Sequence, residues 1–293
     1  GLEAVIRSCN PEIVLHLAAQ PLVRRSYRDP LGTWRTNVQG SLHVLEALRS
    51  LRHNCAVVMV TTDKVYANQE WDYGYREEDR LGGHDPYSAS KAAAELAISS
   101  WRSSFCGEAI HQTPHLSIAT ARAGNVIGGG DWALDRIIPD CVKAWSKDER
   151  VELRRPLATR PWQHVLEPLS GYLLLAQELY ARNRLAADAW NFGPSEEGVR
   201  PVSFLVDFLV SNWPSEVSWH QSTEPHPHEA TLLKLDISKA QSILKWNPTF
   251  TLEKTLETIL SWERAFGKGL NLKEETLLQI NQFLSALKFI SCT

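Results

Sequence analysis

Tyr87-Ser88-Ala89-Ser90-Lys91 sets a phenol and an ammonium four residues apart, and on a helix that spacing puts both on one face. An ammonium beside a phenol lowers its pKa toward the range useful for acid–base work. A phenolate held this way can take the proton of an alcohol as the alcohol carbon loses a hydride. Alone, the spacing is common on solvated helix faces. It gains chemical content from a second segment, Thr61-Thr62-Asp63-Lys64-Val65-Tyr66, which closes an apolar, β-branched run and so delivers a hydroxyl, a carboxyl and an amine to a strand's end.

Groups so far apart in sequence need a scaffold that returns them to one place. The first 125 residues alternate short apolar runs with longer helical patterns, the signature of βαβ units and a parallel sheet. Residues 12–19 and 55–62 read as buried strands. Between them Val38, Leu42, Leu45 and Leu48 share a helical face, with Asn37 near that helix's start. A helix over 88–105 follows Tyr87, and a strand over 116–123 runs into Arg122-Ala123-Gly124-Asn125 and a glycine-rich loop. Beyond it the spacing predicts helices over 134–145 and 166–180, a strand over 189–192, helical patterns around 204–209, 237–244 and 252–266, and an amphipathic helix over 273–289. In open parallel sheets ligands bind beyond the carboxyl ends of the strands. Three candidate segments meet there: His16-Leu17-Ala18-Ala19-Gln20, Thr61 to Lys64, and Arg122 to Asn125.

Composition removes several function classes. Hydrophobic residues make up 43% and charged residues 22%, and no run approaches the roughly 20 apolar residues of a membrane span. The opening Gly-Leu-Glu-Ala-Val-Ile-Arg has no secretory pattern, so the expectation is a cytoplasmic protein. A net charge of −3 carries no electrostatic footprint for nucleic acid. Five scattered cysteines lack Cys-x-x-Cys spacing, and His220, His226 and His228, set among prolines, read as a nucleotide-binding loop; no metal is expected. Ser88 and Ser90 have no Gly-x-Ser-x-Gly elbow, and Gly128 to Gly130 lie too late, without the right spacing, for a phosphate-cradling fingerprint.

With these motifs in hand, the chain resembles the extended short-chain dehydrogenase/reductases and, within them, the nucleotide-sugar 4,6-dehydratases. The strings Gln20-Pro21-Leu22-Val23-Arg24-Arg25-Ser26-Tyr27, Thr62-Asp63-Lys64, Gly124-Asn125-Val126-Ile127-Gly128-Gly129-Gly130-Asp131-Trp132 and Arg160-Pro161-Trp162-Gln163-His164-Val165 are similar to the branch that acts on CDP-glucose. The resemblance implies an α/β fold: a Rossmann-like doubly wound parallel sheet with a smaller, mostly helical C-terminal substrate domain. Residues 1–125 and 163–193 would form the dinucleotide-binding domain, and residues 126–162 and 194–293 the nucleotide-sugar-binding domain. It also implies NAD+ as a retained cofactor and a homodimer. Leu17, Ala18, Ala19, Gln20, Asn37, Thr61, Tyr87 and Lys91 would hold the cofactor. Tyr87 would deprotonate the sugar's 4-hydroxyl as hydride leaves C4, with Thr62 bonding that hydroxyl, and the Asp63-Lys64 pair would serve elimination of the C6 hydroxyl. Where the dTDP-glucose branch has Glu as the C5 base, this chain has Lys64, which acts either as that base or as an electrostatic stabiliser of the enolate. Gln20, Asn125, Arg136, Arg160, His164 and His228 are the implied substrate contacts. Arg24 and Arg25 read equally as a helix-start pair, and His164 equally as a core histidine.

No glycine fingerprint precedes the first strand. Against the family's fold this leaves roughly 60 to 70 residues unaccounted for, including two central strands and the pyrophosphate loop, so an open sheet edge is expected. The competing reading is a catalytically inactive remnant that keeps sugar-nucleotide or partner contacts.

Overall fold

The computed structural model describes residues 1–106, 115–226 and 230–291. In chain order its elements are α1 (Leu2–Cys9), β1 (Ile13–His16), α2 (Val23–Arg28), α3 (Pro30–Trp34), α4 (Gly40–Leu48), β2 (Cys55–Val60), α5 (Pro86–Phe105), β3 (Leu116–Ala123), β4 (Val126–Ile127), α6 (Ile137–Trp145), β5 (Val151–Leu153), β6 (Thr159–Pro161), β7 (Gln163–His164), α7 (Leu166–Tyr180), β8 (Ala189–Phe192), β9 (Val199–Pro201), α8 (Val202–Asn212), β10 (Trp219–Gln221), α9 (Leu252–Gly267) and α10 (Leu272–Ser291). Strands β1, β2, β3 and β8 form one parallel sheet in that spatial order.

Alternation along β2 explains how helices cover both faces. Successive side chains of a strand point to opposite sides, so Cys55, Val57 and Met59 pack with Ile6, Leu45, Leu48, Ala94 and Ile98 of α1, α4 and α5. Ala56 and Val58 face the other way, against Tyr172, Leu175 and Leu179 of α7. Trp190 and Phe192 of β8 join that second layer together with Ala240, Leu244 and Trp246. A third apolar cluster gathers α6, β5, α8 and α9 around Trp145, Trp162, Leu205, Leu256 and Ile259. The sheet and its flanking helices give the Rossmann-like arrangement expected, with a mostly helical C-terminal part.

Several boundaries differ from expectation for identifiable reasons. Strand β1 covers only Ile13–His16, not 12–19, because it pairs on one side alone; Ile13 is 49% and Leu17 50% exposed at this open edge. Asn37 does not begin a helix. Helix α3 runs through a π-helical turn, Arg35–Gln39, into α4, and Asn37 is buried within that turn. Strand β2 ends at Val60 because the Thr62 side chain caps a 3₁₀ turn over Asp63–Val65. Helix α5 starts two residues before the expected 88: Asp85 Oδ1 accepts the N–H groups of Tyr87 and Ser88, both at 3.0 Å, and Pro86 occupies the first turn, where its missing N–H costs nothing. Among the described residues no helix is long and apolar enough to cross a membrane.

Candidate active site

A cleft of about 950 Å³ opens at the carboxyl ends of β2 and β3, within the size range of small-molecule sites. Thr61, Thr62, Asp63, Lys64, Tyr87, Gly124 and Asn125 line its inner part, and Arg24, Arg136, Arg154 and Arg160 line its flanks. Two of the three strand-end segments singled out in the sequence thus share one wall. Tyr87 is brought there by the first turn of α5, its N–H also held by the Ser26 hydroxyl at 3.1 Å.

The phenol is 6% exposed and its pKa is pushed up to about 12, chiefly by burial, with the Asp63 and Asp85 carboxylates adding to the rise; a hydrogen bond from Thr62 and the Arg136 charge act against it. This corrects the expectation that Lys91 lowers it. Lys91 lies on the same helix face, but its Nζ donates to the Val60 carbonyl at 3.1 Å, and burial pulls its own pKa down to about 8 against the opposing Glu95 carboxylate.

Asp63 is 2% exposed. Its Oδ1 accepts the Thr62 hydroxyl at 3.0 Å, while among the described residues Oδ2 has no hydrogen-bond partner. Burial drives the carboxyl's pKa up, outweighing the pull of Lys64, Thr62 and Arg160. A carboxyl whose pKa is raised by burial and that points an unused oxygen into a cleft is equipped to act as an acid. Space around it is tight: a Cβ on Gly124 would stand 2.7 Å from Asp63 Oδ2 and 2.6 Å from Pro161 Cγ.

Other predicted residues do different work. The Gln20 side chain folds its own loop, donating to the Leu22 carbonyl at 3.1 Å and the Thr33 hydroxyl at 2.9 Å and accepting the Leu22 N–H at 2.8 Å. Asn37 clamps that loop to α5: it accepts the Gln20 N–H at 2.8 Å and donates to the Gln20 carbonyl at 3.1 Å and Ser90 Oγ at 2.9 Å. Leu17 and Ala18 are exposed and Ala19 half-buried, beyond β1 and outside the cleft wall. Thr61 lines the cleft, but its hydroxyl turns inward to Glu95 Oε1 at 2.5 Å.

On the flanks, Arg136 pairs with Asp131 at 2.8 Å, and Arg24 with Asp135 at 2.9 Å, an oxygen that Arg154 also approaches at 3.5 Å. Arg160 donates to the carbonyls of Thr159 at 2.8 Å and Ala230 at 2.6 Å. His164 is buried away from the cleft. Its Nδ1 accepts the Leu166 N–H at 3.3 Å at the start of α7, Phe250 packs against its ring, and burial pulls its pKa down to about 4, the behaviour of a core histidine. His228 lies outside the described residues.

The pattern of the family described as GDP-mannose 4,6 dehydratase matches residues 1–190. The chain belongs to this family. A CDP-glucose 4,6-dehydratase of Salmonella typhimurium is 47% identical over 281 residues, spanning 96% of this chain and 78% of that relative. Among solved structures, the fold is similar to UDP-glucuronic acid 4-epimerase from Bacillus cereus in complex with UDP-glucuronic acid and NAD (TM-score 0.77, 20% identity, 90% of this chain and 78% of the other). It is also similar to dTDP-glucose 4,6-dehydratase from Bacillus anthracis in complex with NAD (TM-score 0.70, 20% identity, 92% and 78%).

Family membership raises the question of whether these residues fit a nicotinamide dinucleotide. For the nicotinamide end they do: among the described residues Lys91 Nζ makes one hydrogen bond to protein, to the Val60 carbonyl, which leaves two N–H groups for ribose hydroxyls. The loop after β1 lies open at the sheet's edge. The sequence holds no Gly-x-x-Gly-x-x-Gly run to cradle the pyrophosphate.

Sequence reasoning missed Glu95, Tyr66, Asp135 and Arg154. For Glu95 a signal existed: it stands four residues after Lys91, on the face of α5 that otherwise buries Ala92, Ala94 and Ile98.

Proposed function

We propose that this chain carries out NAD-dependent dehydration of CDP-D-glucose to CDP-4-dehydro-6-deoxy-D-glucose, by oxidation at C4, elimination of water across C5–C6 and reduction at C6. The observation that carries the reading is the buried Asp63 carboxyl, its pKa raised by burial and its Oδ2 unpartnered among the described residues, beside Thr62 and Tyr87, because expelling water needs an acid next to the oxidising base and simple 4-epimerisation does not. The relative of that activity at 47% identity supports the choice of substrate.

NAD+ would supply the hydride acceptor for C4 and the hydride donor for C6, and Lys91, Tyr87 and the 17–20 loop, backed by Asn37 and Thr61, would hold and orient it. Tyr87 accepts the 4-hydroxyl proton, with Thr62 bonding the same oxygen. The resulting ketone acidifies C5–H. Asp63 then gives its proton to the departing C6 hydroxyl, so that one C–O bond breaks and water leaves. Lys64 removes the C5 proton or steadies the enolate.

For the diphosphate, Arg136 and Arg160 are the assigned contacts, with Asn125 beside them; arginine suits bidentate phosphate recognition. Asp131 pairs with Arg136, and Asp135 with Arg24 and Arg154. Residues 1–125 and 163–193 then form the cofactor half and residues 126–162 and 194–293 the sugar-nucleotide half of a cytoplasmic homodimer, which light scattering on the purified protein tests. Competing CDP-, dTDP- and GDP-glucose in one assay tests the function itself: only the CDP sugar should yield the 4-keto-6-deoxy product, and equal turnover of all three, or none, would reject the assignment.

A further inference from the structure

Behind the cleft floor lies a buried ion pair that none of these steps uses. Glu95 is 2% exposed and sits one helical turn beyond Lys91 on α5. Its Oε1 accepts the Thr61 hydroxyl at 2.5 Å, and its Oε2 accepts the Thr120 hydroxyl at 2.9 Å and Arg122 Nη2 at 2.8 Å. Arg122 carries the network onward. Its Nη1 donates to the Tyr66 hydroxyl and the Glu77 carbonyl, both at 2.9 Å, and the Tyr66 hydroxyl donates to Asn191 Oδ1 at 2.7 Å. One carboxylate thereby joins α5 to the ends of β2, β3 and β8 at the point where Thr62, Asp63 and Lys64 leave the sheet.

Well-packed apolar side chains of similar volume would often stabilise such a position equally well. They would not hold Thr61 against α5, and they would not place a negative charge beside Lys91. Among the described residues, the other charged or titratable groups that act on Lys91 or Glu95 are His16 from β1, Arg122 from β3 and Arg102 further along α5. Each of these is cationic when charged, so among these groups Glu95 is the one that favours the ammonium, beside the Val60 carbonyl that accepts from Nζ.

We propose that Glu95 is a positioning residue of the active site: its carboxylate locks the Thr61-to-Lys64 turn against α5 and keeps Lys91 charged for its place beside the phenol and the nicotinamide ribose. The inference rests on the roles given to Tyr87 and Lys91 above. Glu95→Gln keeps the shape and an acceptor for Thr61 while removing the charge. Competitive acetylation with acetic anhydride, followed by mass spectrometry across pH, reads the titration of Lys91 without any substrate. The midpoint should fall by about one pH unit relative to the parent protein. With CDP-glucose, kcat should fall on the order of tenfold with KM within about twofold, and the alkaline limb of kcat should move to lower pH. An unmoved Lys91 midpoint overturns the charge role. Thr61→Val cuts the 2.5 Å tie while leaving both charges; it should lower kcat with the Lys91 midpoint unchanged, and a parental kcat overturns the locking role. If Glu95→Gln strands Arg122 and does not fold, Glu95→Gln/Arg122→Met carries the same labelling test with the same expected direction. A parent protein inactive on CDP-glucose would count against the proposed reaction, and the acetylation result would still decide the role of Glu95.

Discussion

Asp63→Asn separates the two halves of the proposed reaction. The amide keeps the volume of the carboxyl and loses its proton. General acid catalysis contributes about 10²- to 10⁴-fold, or roughly 3 to 5.5 kcal/mol at about 1.4 kcal/mol per tenfold. Two features place Asp63 in the middle of that range. It is 2% exposed, so solvent is a poor substitute; of its proton-bearing neighbours, the Thr62 hydroxyl is already committed to Oδ1, which leaves Lys64. Elimination should slow on the order of 10³-fold. The first hydride transfer should persist, because Tyr87 and not Asp63 takes the 4-hydroxyl proton. Rapid mixing with CDP-glucose, followed by the near-ultraviolet absorbance of reduced nicotinamide and by quenched product analysis, distinguishes the steps: reduced cofactor should build up and stall. Stability supplies the control. The folded carboxyl holds its proton above its ordinary value of 3.8, where the unfolded chain has lost it, so it lowers stability as pH rises from there through the folded pKa. The variant should therefore melt no lower than the parent at neutral pH, and this advantage should vanish below about pH 4. Dehydration at the parental rate, or failure to reduce the cofactor at all, would refute the assignment.

Lys64→Met should likewise permit oxidation at C4 while blocking elimination, seen as the same stalled reduced cofactor; normal dehydration would remove Lys64 from the reaction. Gly124→Ala inserts a methyl 2.6 Å from Pro161 Cγ and 2.7 Å from Asp63 Oδ2, an overpacking that costs about 1 to 3 kcal/mol. It should lower Tm by roughly 2 to 4 °C per kcal/mol and depress kcat by displacing Asp63, and a parental melt with parental kcat would show that the contact yields freely. Glu167, whose oxygens accept the N–H groups of Phe250 at 2.6 Å and Thr249 at 2.9 Å, has its pKa pushed up by burial from 4.5 to about 7. The folded protein thus keeps this proton after the unfolded chain has lost it, and Glu167 withdraws about 3 kcal/mol of stability between pH 4.5 and 7. Urea midpoints for Glu167→Gln should decline less over that interval, and an unchanged slope would contradict the shift.

The sheet was legible because β2 is a continuous apolar run of strand length, β3 places Leu116, Ile118, Ala119 and Ala121 within one strand's length, and α9 carries a clear helical period. The alignment of Tyr87 with Thr62 and Asp63 followed from strand ends and a four-residue spacing. The electrostatics did not follow. Spacing predicted that Lys91 would lower the Tyr87 pKa, but the Val60 carbonyl holds its Nζ and burial dominates both groups, which only packed coordinates express. Gln20, Asn37 and His164 were polar residues in motif strings, and nothing in a string separates a ligand contact from a side chain that folds its own loop or caps a helix. Asp135 escaped notice because it meets Arg24 across 111 residues of chain, and Arg154 because its tie is to that same carboxylate.

The proposed chemistry asks three buried groups for different states: a carboxyl that keeps its proton, a phenol that gives one up and an amine that stays charged. Burial disfavours charge on all of them. It therefore prepares Asp63 for its task and opposes Tyr87 and Lys91, whose pKa values it drives to about 12 and about 8. A site excluded from water for the sake of the acid must recover the other two states with fixed charge. For Lys91 the available anion is Glu95, paired with Arg122 at 2.8 Å. For Tyr87 the lowering influences already in place are Thr62 and Arg136, and Arg136 is tied up by Asp131 at 2.8 Å. A diphosphate that draws Arg136 onto itself would neutralise part of that charge and leave the phenol more dependent on Lys91. Substrate binding should then sharpen the penalty of Glu95→Gln, so that kcat suffers more in the variant than the free-enzyme titration of Lys91 alone would indicate.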